Sequence, residues 1–215
     1  MGRIFDFIDE RFAVRKPHKR FLRRTVPEDL NYSYCLGGMA FTYFIVLVCT
    51  GFLLALHYVP SEREAYQSVV MITEGVPLGW LVRGLHKWSA TLFIAFTMLH
   101  SIRVFASRAY RHPKELNWMA GVLAFVFAMG SGFTGYLLPW DQKAYWATEV
   151  GTSMARTVPL VGEQLMFTVR GGAGVDGATL VRFYSLHVLF LPAVTAVLLW
   201  AHFHMVKRQG ISKNL

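Results

Sequence analysis

The chain has 215 residues, of which 54% are hydrophobic and 16% are charged, and its formal net charge is +9. This composition is too apolar for an ordinary soluble domain of this length. The basic charge does not indicate binding to a nucleic acid, because it follows the membrane topology described below. The sequence therefore predicts an all-α membrane protein.

Four stretches are long and apolar enough to cross a membrane as helices. A helix needs about 20 apolar residues to cross a hydrocarbon core of about 30 Å. The four predicted spans cover residues 34–56, 79–105, 117–138 and 183–206. We expect a single domain over residues 1–215. In it, residues 1–30 form an amphipathic surface helix on the membrane lipid, and residues 139–182 form a long outer loop with short helices of its own.

Lysine and arginine are concentrated next to one end of the spans. Fifteen of the 22 basic residues lie before the first span, between the second and third spans (counting the end of the second), or after the fourth. The positive-inside rule then places both termini on the cytoplasmic, or inner, side of the membrane. In this topology the second and fourth spans both run from the outer side to the inner side.

Two of the predicted spans each carry a pair of histidines. His86 and His100 are 14 residues apart on the second span, which places them on nearly one helix face and about 21 Å apart along the axis. His187 and His202 are 15 residues apart on the fourth span, about 60° around the helix and 22 to 23 Å along it. A lone histidine in a span can simply bond to a neighbouring helix. Four at matching depths favour a functional site, because ionisable residues in a bilayer are costly.

The predicted topology decides which histidines face each other. His86 and His187 lie towards the outer side, and we call them the outer pair. His100 and His202 lie towards the inner side, and we call them the inner pair. Neutral imidazole is a common axial ligand of haem iron, so each pair is predicted to hold one haem edge-on between two helices.

The other two spans carry glycines at the same interval. Gly37 and Gly51 on the first span, and Gly121 and Gly135 on the third, are each 14 residues apart. Glycine has no Cβ, so it leaves room for the edge of a porphyrin, although plain helix packing is an alternative explanation. Basic residues next to the histidines are candidate partners of the haem propionates, or snorkel to the interface: Arg83, Arg103, Arg182 and Lys207.

Several motifs, distributed over nearly the whole chain, together resemble those of one known protein family. They are YCLGG (34–38), HKWSA (86–90), HPKELNW (112–118), GFTGYLLPWDQKAYWA (132–147), RFYSLH (182–187) and KRQGIS near the C-terminus. This set resembles cytochrome b of the quinol-oxidising bc1 and b6f complexes, and more closely its short cytochrome b6 type with four spans. The basic N-terminal stretch is more similar to a bacterial member than to a chloroplast one.

The resemblance implies a four-helix bundle with two stacked b-type haems, in a bacterial cytoplasmic or thylakoid-type membrane. The implied function is that of the transmembrane electron-carrying subunit of a quinol:cytochrome c or plastocyanin reductase. In such a Q cycle, quinol is oxidised near the outer side. One electron goes to a Rieske iron–sulfur protein and the other passes through both haems to a quinone near the inner side, coupled to proton translocation. The implied partners are the Rieske protein, a companion subunit with the remaining cytochrome b helices, and a c-type cytochrome, in a homodimeric complex.

The resemblance also implies roles for individual residues. The outer quinol pocket would involve Phe133, Tyr136, Pro139, Trp140 and Asp141, for which a purely structural corner is the alternative. Cys35 would carry an additional haem c through a single thioether, beside the inner haem, whereas Cys49 has no such context.

Two positions depart from the family pattern. Lys87 stands where plant-type relatives commonly have arginine, and Lys207 and Arg208 occur in the reverse of the common order, so Arg208 can replace Lys207 as a haem or quinone contact.

The sequence leaves the type of quinone open among menaquinone, plastoquinone and ubiquinone. The competing functions are a di-haem membrane anchor of another quinone-linked dehydrogenase and a proton-relaying transporter. The transporter is disfavoured because no Asp or Glu lies within any predicted span.

Overall fold

The computed structural model describes residues 32 to 210. The chain divides into two compact units, Met1–Tyr34 and Cys35–Leu215. The predicted surface helix over residues 1–30 lies outside the described residues, and the assignment of a single domain stays a prediction. Within residues 32 to 210, all regular secondary structure is helical.

Eight α-helices follow a short 3-10 turn, Tyr32–Cys35, in the described part of the chain. They are α1 (Leu36–Ala55), α2 (Ala65–Glu74), α3 (Gly79–Ala106), α4 (Glu115–Leu137), α5 (Gln142–Ala155), α6 (Gly162–Arg170), α7 (Gly177–Ser185) and α8 (Leu191–Gln209). A π-helical turn, Leu186–Phe190, joins α7 to α8. Four candidate membrane spans result: Tyr32–Ala55, Gly79–Ala106, Glu115–Leu137 and Gly177–Gln209. The four predicted spans are thereby confirmed, and the fourth begins earlier than expected because α7 continues into it.

The spans pack as two helix pairs, α1 against α3 and α4 against α8. A buried cluster of Ala40 and Phe44 from α1, Phe93 from α3 and Ala128 from α4 connects the first pair to the second. Large apolar side chains cover much of the outward surface. Hydrocarbon is a favourable environment for such side chains, and a helix satisfies its own backbone hydrogen bonds there. Small and hydroxyl-bearing side chains are among the buried residues of the spans, for example Ser89 and Thr134.

A second buried cluster closes the end of the bundle that we predict to be outer. It contains Ala65 of α2, Leu137 of α4, and Leu180 and Phe183 of α7, with partly buried side chains such as Tyr58 packed around it. The Tyr58 hydroxyl donates a hydrogen bond of 2.7 Å to the carbonyl of Leu138, and its ring stacks on Tyr184 at 5.4 Å between ring centres. Tyr58 thus anchors Leu138, the residue that follows the end of α4.

The loop after α4 is organised by caps and one buried cation. Asp141 caps α5 by accepting from the backbone N–H of Ala144 at 2.8 Å, and Asp176 caps α7. Arg170, only 2% exposed, ends α6 and forms an ion pair of 3.0 Å with Glu149 of α5. Its guanidinium also donates to the hydroxyls of Thr152 and Ser153 and to two backbone carbonyls. These bonds connect α5 to α6 across the loop.

We expect Tyr58→Phe to lower the free energy of unfolding by about 1 kcal/mol, because the hydrogen bond to the partly buried carbonyl of Leu138 is lost. Burial raises the pKa of the Tyr58 phenol, so the folded chain keeps this proton at pH values where an unfolded tyrosine, with a pKa of about 10, has lost it. The contribution of the Tyr58 phenol to the free energy of unfolding is therefore fully present below pH about 10. It is lost as the pH rises above that value.

Thermal unfolding of the detergent-solubilised protein at neutral pH and at pH about 10.5 measures both effects. Tyr66→Phe is the control, because Tyr66 is 55% exposed. The variant at Tyr58 should show a smaller alkaline loss of stability than the control. Equal losses in the two variants would contradict the assigned role of Tyr58.

Candidate functional site

The structure brings the four histidines of the spans together in two pairs. The ring centres of His86 and His187 lie 6.2 Å apart with their planes at 74°. Those of His100 and His202 lie 6.4 Å apart with their planes at 85°. The outer pair and the inner pair therefore each form a facing set of two imidazoles between α3 and the fourth span.

These separations suit two imidazoles that share one metal ion. A histidine nitrogen binds zinc at about 2.0 to 2.1 Å, and the ring centre lies about an ångström farther back, so two such rings have centres about 6 Å apart. An edge-to-face aromatic contact has a similar separation, about 4.5 to 7 Å. Hydrogen bonds at Nδ1 of three of the four rings favour the metal-binding arrangement, because they leave Nε2 of those rings free.

Two of the rings donate to backbone carbonyls. His187 Nδ1 lies 2.9 Å from the carbonyl oxygen of Ser131, and His202 Nδ1 lies 3.1 Å from that of Asn117. A carbonyl oxygen only accepts hydrogen bonds, so Nδ1 must carry the proton in both rings. The lone pair of each neutral ring is then on Nε2, which is the atom left to bind a metal.

A hydrogen bond to a threonine gives the same position, Nδ1, for the ring proton of His86. His86 Nδ1 lies 2.8 Å from the hydroxyl oxygen of Thr50, and that hydroxyl donates its proton to the carbonyl of Val46 at 2.6 Å. Thr50 therefore accepts from His86, and Nε2 of His86 carries the lone pair. His100 differs, because its buried Nδ1 has no hydrogen-bond partner within residues 32 to 210.

Each imidazole lies against one of the four predicted glycines. An added Cβ would be 3.0 Å from His100 Cε1 at Gly37, 3.2 Å from His86 Cε1 at Gly51 and 3.3 Å from His202 Cε1 at Gly121, and at Gly135 it would overlap the His187 ring. We predicted that these glycines make room for a porphyrin edge. In the structure, the space that each of them leaves is occupied by the ring of a histidine on the helix packed against it.

The π-helical turn explains why the two histidine intervals differ. Pro192 has no N–H and cannot donate to the carbonyl of the residue four positions before it, Val188. The chain instead forms a wide turn, in which the N–H of Leu191 bonds to the carbonyl of Leu186. Such a turn holds one residue more than an α-helical turn. The interval of 15 between His187 and His202 therefore acts as an interval of 14, which equals the interval between His86 and His100.

The basic residues predicted to bind the haem propionates differ from one another in their contacts and exposure. Arg83 Nη1 donates to the hydroxyl of Thr73 of α2 at 3.4 Å. Arg103 is half-buried one turn after His100. Arg182 lies against Gly171, with Nη1 3.4 Å from the carbonyl of Ala178. Lys207 and Arg208 are both exposed in the last turn of α8.

The residues predicted for an outer quinol pocket surround the end of α4. Phe133, 38% exposed, packs against Phe183 with ring centres 5.6 Å apart, and Tyr136 is 55% exposed. Pro139 is half-buried. Trp140 has a φ of 52°, in the left-handed region, and Asp141 caps α5. Asp141 therefore has a structural role here, while Phe133 and Tyr136 present open ring surface.

A groove of about 460 Å³ lies between α1 and α8 at the end of the bundle nearer the inner pair. Its lining is mostly aromatic and aliphatic, with two polar groups: Phe41, Phe44, Ile45, Ala196, Leu199, Trp200, Phe203, His204 and Lys207. The ring centre of Phe203 lies 6.0 Å from that of the ligand candidate His202. Cys35, at the start of α1, has an exposed thiol and precedes by two residues the glycine that contacts His100.

Sequence reasoning missed the threonine next to each outer glycine. Thr50 precedes Gly51, and Thr134 precedes Gly135. Both hydroxyls approach a ring of the outer pair, Thr50 at 2.8 Å and Thr134 at 3.4 Å. The available signal was the Thr-Gly pair that occurs at the second predicted glycine of both α1 and α4.

Comparison with known proteins assigns the chain to a family. A family model described as "Cytochrome b/b6/petB" matches residues 21–210. Cytochrome b6 of Cyanidium caldarium is 42% identical and that of Oltmannsiellopsis viridis is 43% identical, in both cases over the whole of both chains. A chain of a solved structure, "Hyperthermophilic respiratory Complex III", superposes with a TM-score of 0.87 at 32% identity over 96% of this chain, which spans 55% of the length of that one. The chain belongs to the cytochrome b/b6 family.

Proposed function

We propose that this chain carries electrons across a membrane through two bis-histidine b-type haems, as a subunit of a quinol:cytochrome c or plastocyanin reductase. As a member of the cytochrome b/b6 family, it is a transmembrane cytochrome b subunit of a quinol-oxidising electron-transfer complex. The observation that carries the proposal is the pair of facing imidazole sets, with ring centres 6.2 and 6.4 Å apart. Three of the four rings have a hydrogen bond that leaves Nε2 free.

The residues of both pairs fit a haem on three counts. The rings face each other at a suitable separation, the glycines leave them space, and neutral imidazole is a suitable donor for haem iron. Bound at these positions, a haem iron would take up and release one electron at a time. His86 and His187 would hold one haem and His100 and His202 the other, at levels about 21 Å apart along α3.

Basic side chains would bind the propionates at both levels. Arg83 and Arg182 belong to the outer level, and Arg103, Lys207 and Arg208 to the inner one. A carboxylate pairs with arginine in a two-pronged, charge-assisted hydrogen bond. The weak 3.4 Å bonds of the Arg83 and Arg182 guanidinium groups to Thr73 and Ala178 leave further donors on each fork for such a carboxylate.

Quinol oxidation is proposed at the outer end of α4. The open ring faces of Phe133 and Tyr136 would contact the quinol ring, and Pro139 and Trp140 would form the corner beside it. Asp141 would hold that corner by capping α5. The companion subunit with the remaining cytochrome b helices would complete this pocket, and the Rieske protein and a c-type cytochrome would take electrons from it in a homodimeric complex.

Quinone reduction is proposed in the groove between α1 and α8. Apolar and aromatic walls with few polar groups are typical of sites for small apolar ligands. Lys207 and His204 would supply hydrogen bonds and protons to the quinone oxygens. Phe203 lines the groove and adjoins His202, so a quinone bound in the groove would lie next to the inner pair. Both termini would lie on this inner side of a thylakoid or bacterial membrane.

Cys35 is proposed to carry a third haem. Its thiol would add across one vinyl group, so that sulfur bonds to one vinyl carbon and the proton goes to the other. Three observations support this site: the thiol is exposed, it lies at the start of α1, and Gly37, two residues later, contacts the inner-pair ring of His100.

Haem content per purified chain, before and after acid-acetone extraction, tests the proposal. We expect two extractable haems and one that remains on the polypeptide. Cys35→Ala should retain none after extraction, whereas Cys49→Ala, which also removes an exposed cysteine of α1, should retain one.

The other outcomes are distinct. Two extractable haems and none retained in the unaltered chain would remove the role of Cys35 and favour the di-haem anchor of another dehydrogenase. A well-folded chain without haem would overturn the proposed function.

A further inference from the structure

We propose that Thr50 is a positioning residue that fixes the proton of His86 on Nδ1 and sets the electron donation of this ligand. The inference rests on the proposed function, since it takes His86 as a haem ligand. It assigns the redox tuning of the outer pair to one identifiable hydroxyl.

The geometry around Thr50 allows one direction for each of its hydrogen bonds. Thr50 is 7% exposed, so water does not compete at the hydroxyl. Its proton goes to the carbonyl of Val46 at 2.6 Å, with the carbonyl of Leu47 farther away at 3.3 Å. The hydroxyl oxygen can then only accept from His86 Nδ1, which lies 2.8 Å away. A helix carbonyl, a hydroxyl and an imidazole therefore form one directed chain.

The residue after Thr50 holds the same ring from a second direction. A Cβ at Gly51 would lie 3.2 Å from His86 Cε1, so the ring packs directly on the backbone of α1. With Nδ1 bonded and Cε1 in contact, two neighbouring ring atoms are held by two consecutive residues. The ring cannot rotate without losing the hydrogen bond or colliding with α1.

The other three histidines of the pairs do not depend on a hydroxyl in this way. His187 donates to the carbonyl of Ser131 at 2.9 Å, and its hydroxyl neighbour, Thr134, is farther away at 3.4 Å. His202 donates to the carbonyl of Asn117. His100 Nδ1 has no hydrogen-bond partner in the described part of the chain. His86 also has the backbone of Leu47 as a partner, but its bond of 2.8 Å to the Thr50 hydroxyl is, among the four rings, the one that a side-chain substitution removes.

The physical consequence follows from the chemistry of the ligand. An acceptor at Nδ1–H makes the imidazole more basic at Nε2. A more basic ligand favours ferric over ferrous iron and lowers the reduction potential, and hydrogen bonding around the ligand is one of the levers by which a protein tunes haem. Loss of the Thr50 acceptor should therefore raise the potential of the outer haem.

A redox titration of membranes that contain the assembled complex tests this inference. Thr50→Val keeps the shape and removes the hydroxyl. We expect it to change the preference for ferric iron about tenfold, which moves the outer-haem midpoint about 59 mV in the positive direction for one electron. Thr50→Ser should restore the original midpoint, because it restores the acceptor.

Two further variants serve as matched controls. Thr134→Val should move the midpoint much less than Thr50→Val, because His187 keeps its carbonyl partner. Thr97→Val should leave it unchanged, since the Thr97 hydroxyl donates to the carbonyl of Phe93 at 2.6 Å without a histidine bond.

The outcomes separate this inference from the proposed function. An unshifted outer midpoint in Thr50→Val, with both haems present, would overturn the inference and leave the proposed function intact. Loss of the outer haem in Thr50→Val with retention in Thr50→Ser would support the hydrogen bond. Equal loss in both variants would show a purely steric role and overturn the inference. Absence of haem in the unaltered complex would instead be a failure of the proposed function.

Discussion

Gly135→Ala should remove most of the haem from the outer pair. The added Cβ would overlap the ring of His187, and neither side can move freely. Gly135 lies inside α4, and His187 is held in the π-helical turn by its bond to the Ser131 carbonyl. The ring must leave its position, which would move its Nε2 away from a haem held between His187 and His86. Even loss of an outer-shell partner of a metal ligand commonly costs 10-fold to 100-fold in metal affinity, and a displaced ligand should cost at least that.

Reduced-minus-oxidised spectra and haem content per chain measure this effect. Gly121→Ala should be milder, because its Cβ would lie 3.3 Å from the His202 ring and a small shift relieves the contact. Gly38→Ala is the control, since nothing lies within 4 Å of its added Cβ and alanine favours a helix over glycine by about 1 kcal/mol. If Gly135→Ala kept the outer haem as well as Gly38→Ala does, the close contact between Gly135 and the His187 ring would not be required for haem binding.

Arg170→Ala should open the outer loop. Removing one partner of a buried ion pair typically costs about 3 to 5 kcal/mol. We expect about 3 kcal/mol, because Glu149 is partly exposed and water can solvate part of its charge. Two hydroxyls and two carbonyls would also lose their donor. The population of the open loop should rise more than a hundredfold, since about 1.4 kcal/mol corresponds to a factor of ten.

Hydrogen exchange or limited proteolysis over α5 and α6 reports this opening. Arg156→Ala is a matched control in the same loop. Arg156 is paired to Glu163 at 2.7 Å, but the two side chains are 61% and 77% exposed. Such exposed pairs contribute about 1 kcal/mol or less. Similar protection in the two variants would mean that Arg170 does not hold α5 against α6.

The positions of the spans and the depths of the histidines could be predicted from the sequence. In hydrocarbon a chain must satisfy its backbone hydrogen bonds internally, so a long apolar run has to be a helix. A helix rises about 1.5 Å per residue, so a spacing in sequence becomes a depth in the membrane. The intervals of 14 residues among Gly37, Gly51, Gly121 and Gly135 therefore predicted two levels in the bundle.

The role of each glycine could not be predicted, because it depends on which helices pack together. Spacing along one helix gives the level of a residue and says nothing about its neighbour across the interface. Packing of α1 on α3 and of α4 on α8 decides that Gly51 contacts His86 and that Gly135 contacts His187. A histidine ring thus lies against each glycine, and the approach of a porphyrin edge to these glycines stays a prediction.

The sequence by itself determined the spans, the two levels and the histidines at each level, because these depend on apolar length and helical rise. Only the tertiary structure decided the fine alignment and the protonation of the rings. The π-helical turn before Pro192 takes up the one additional residue between His187 and His202. The hydroxyl of Thr50, brought to His86 by helix packing, settles which nitrogen carries the proton. Both depend on contacts between residues far apart in the chain, and helical periodicity carries no information about such contacts.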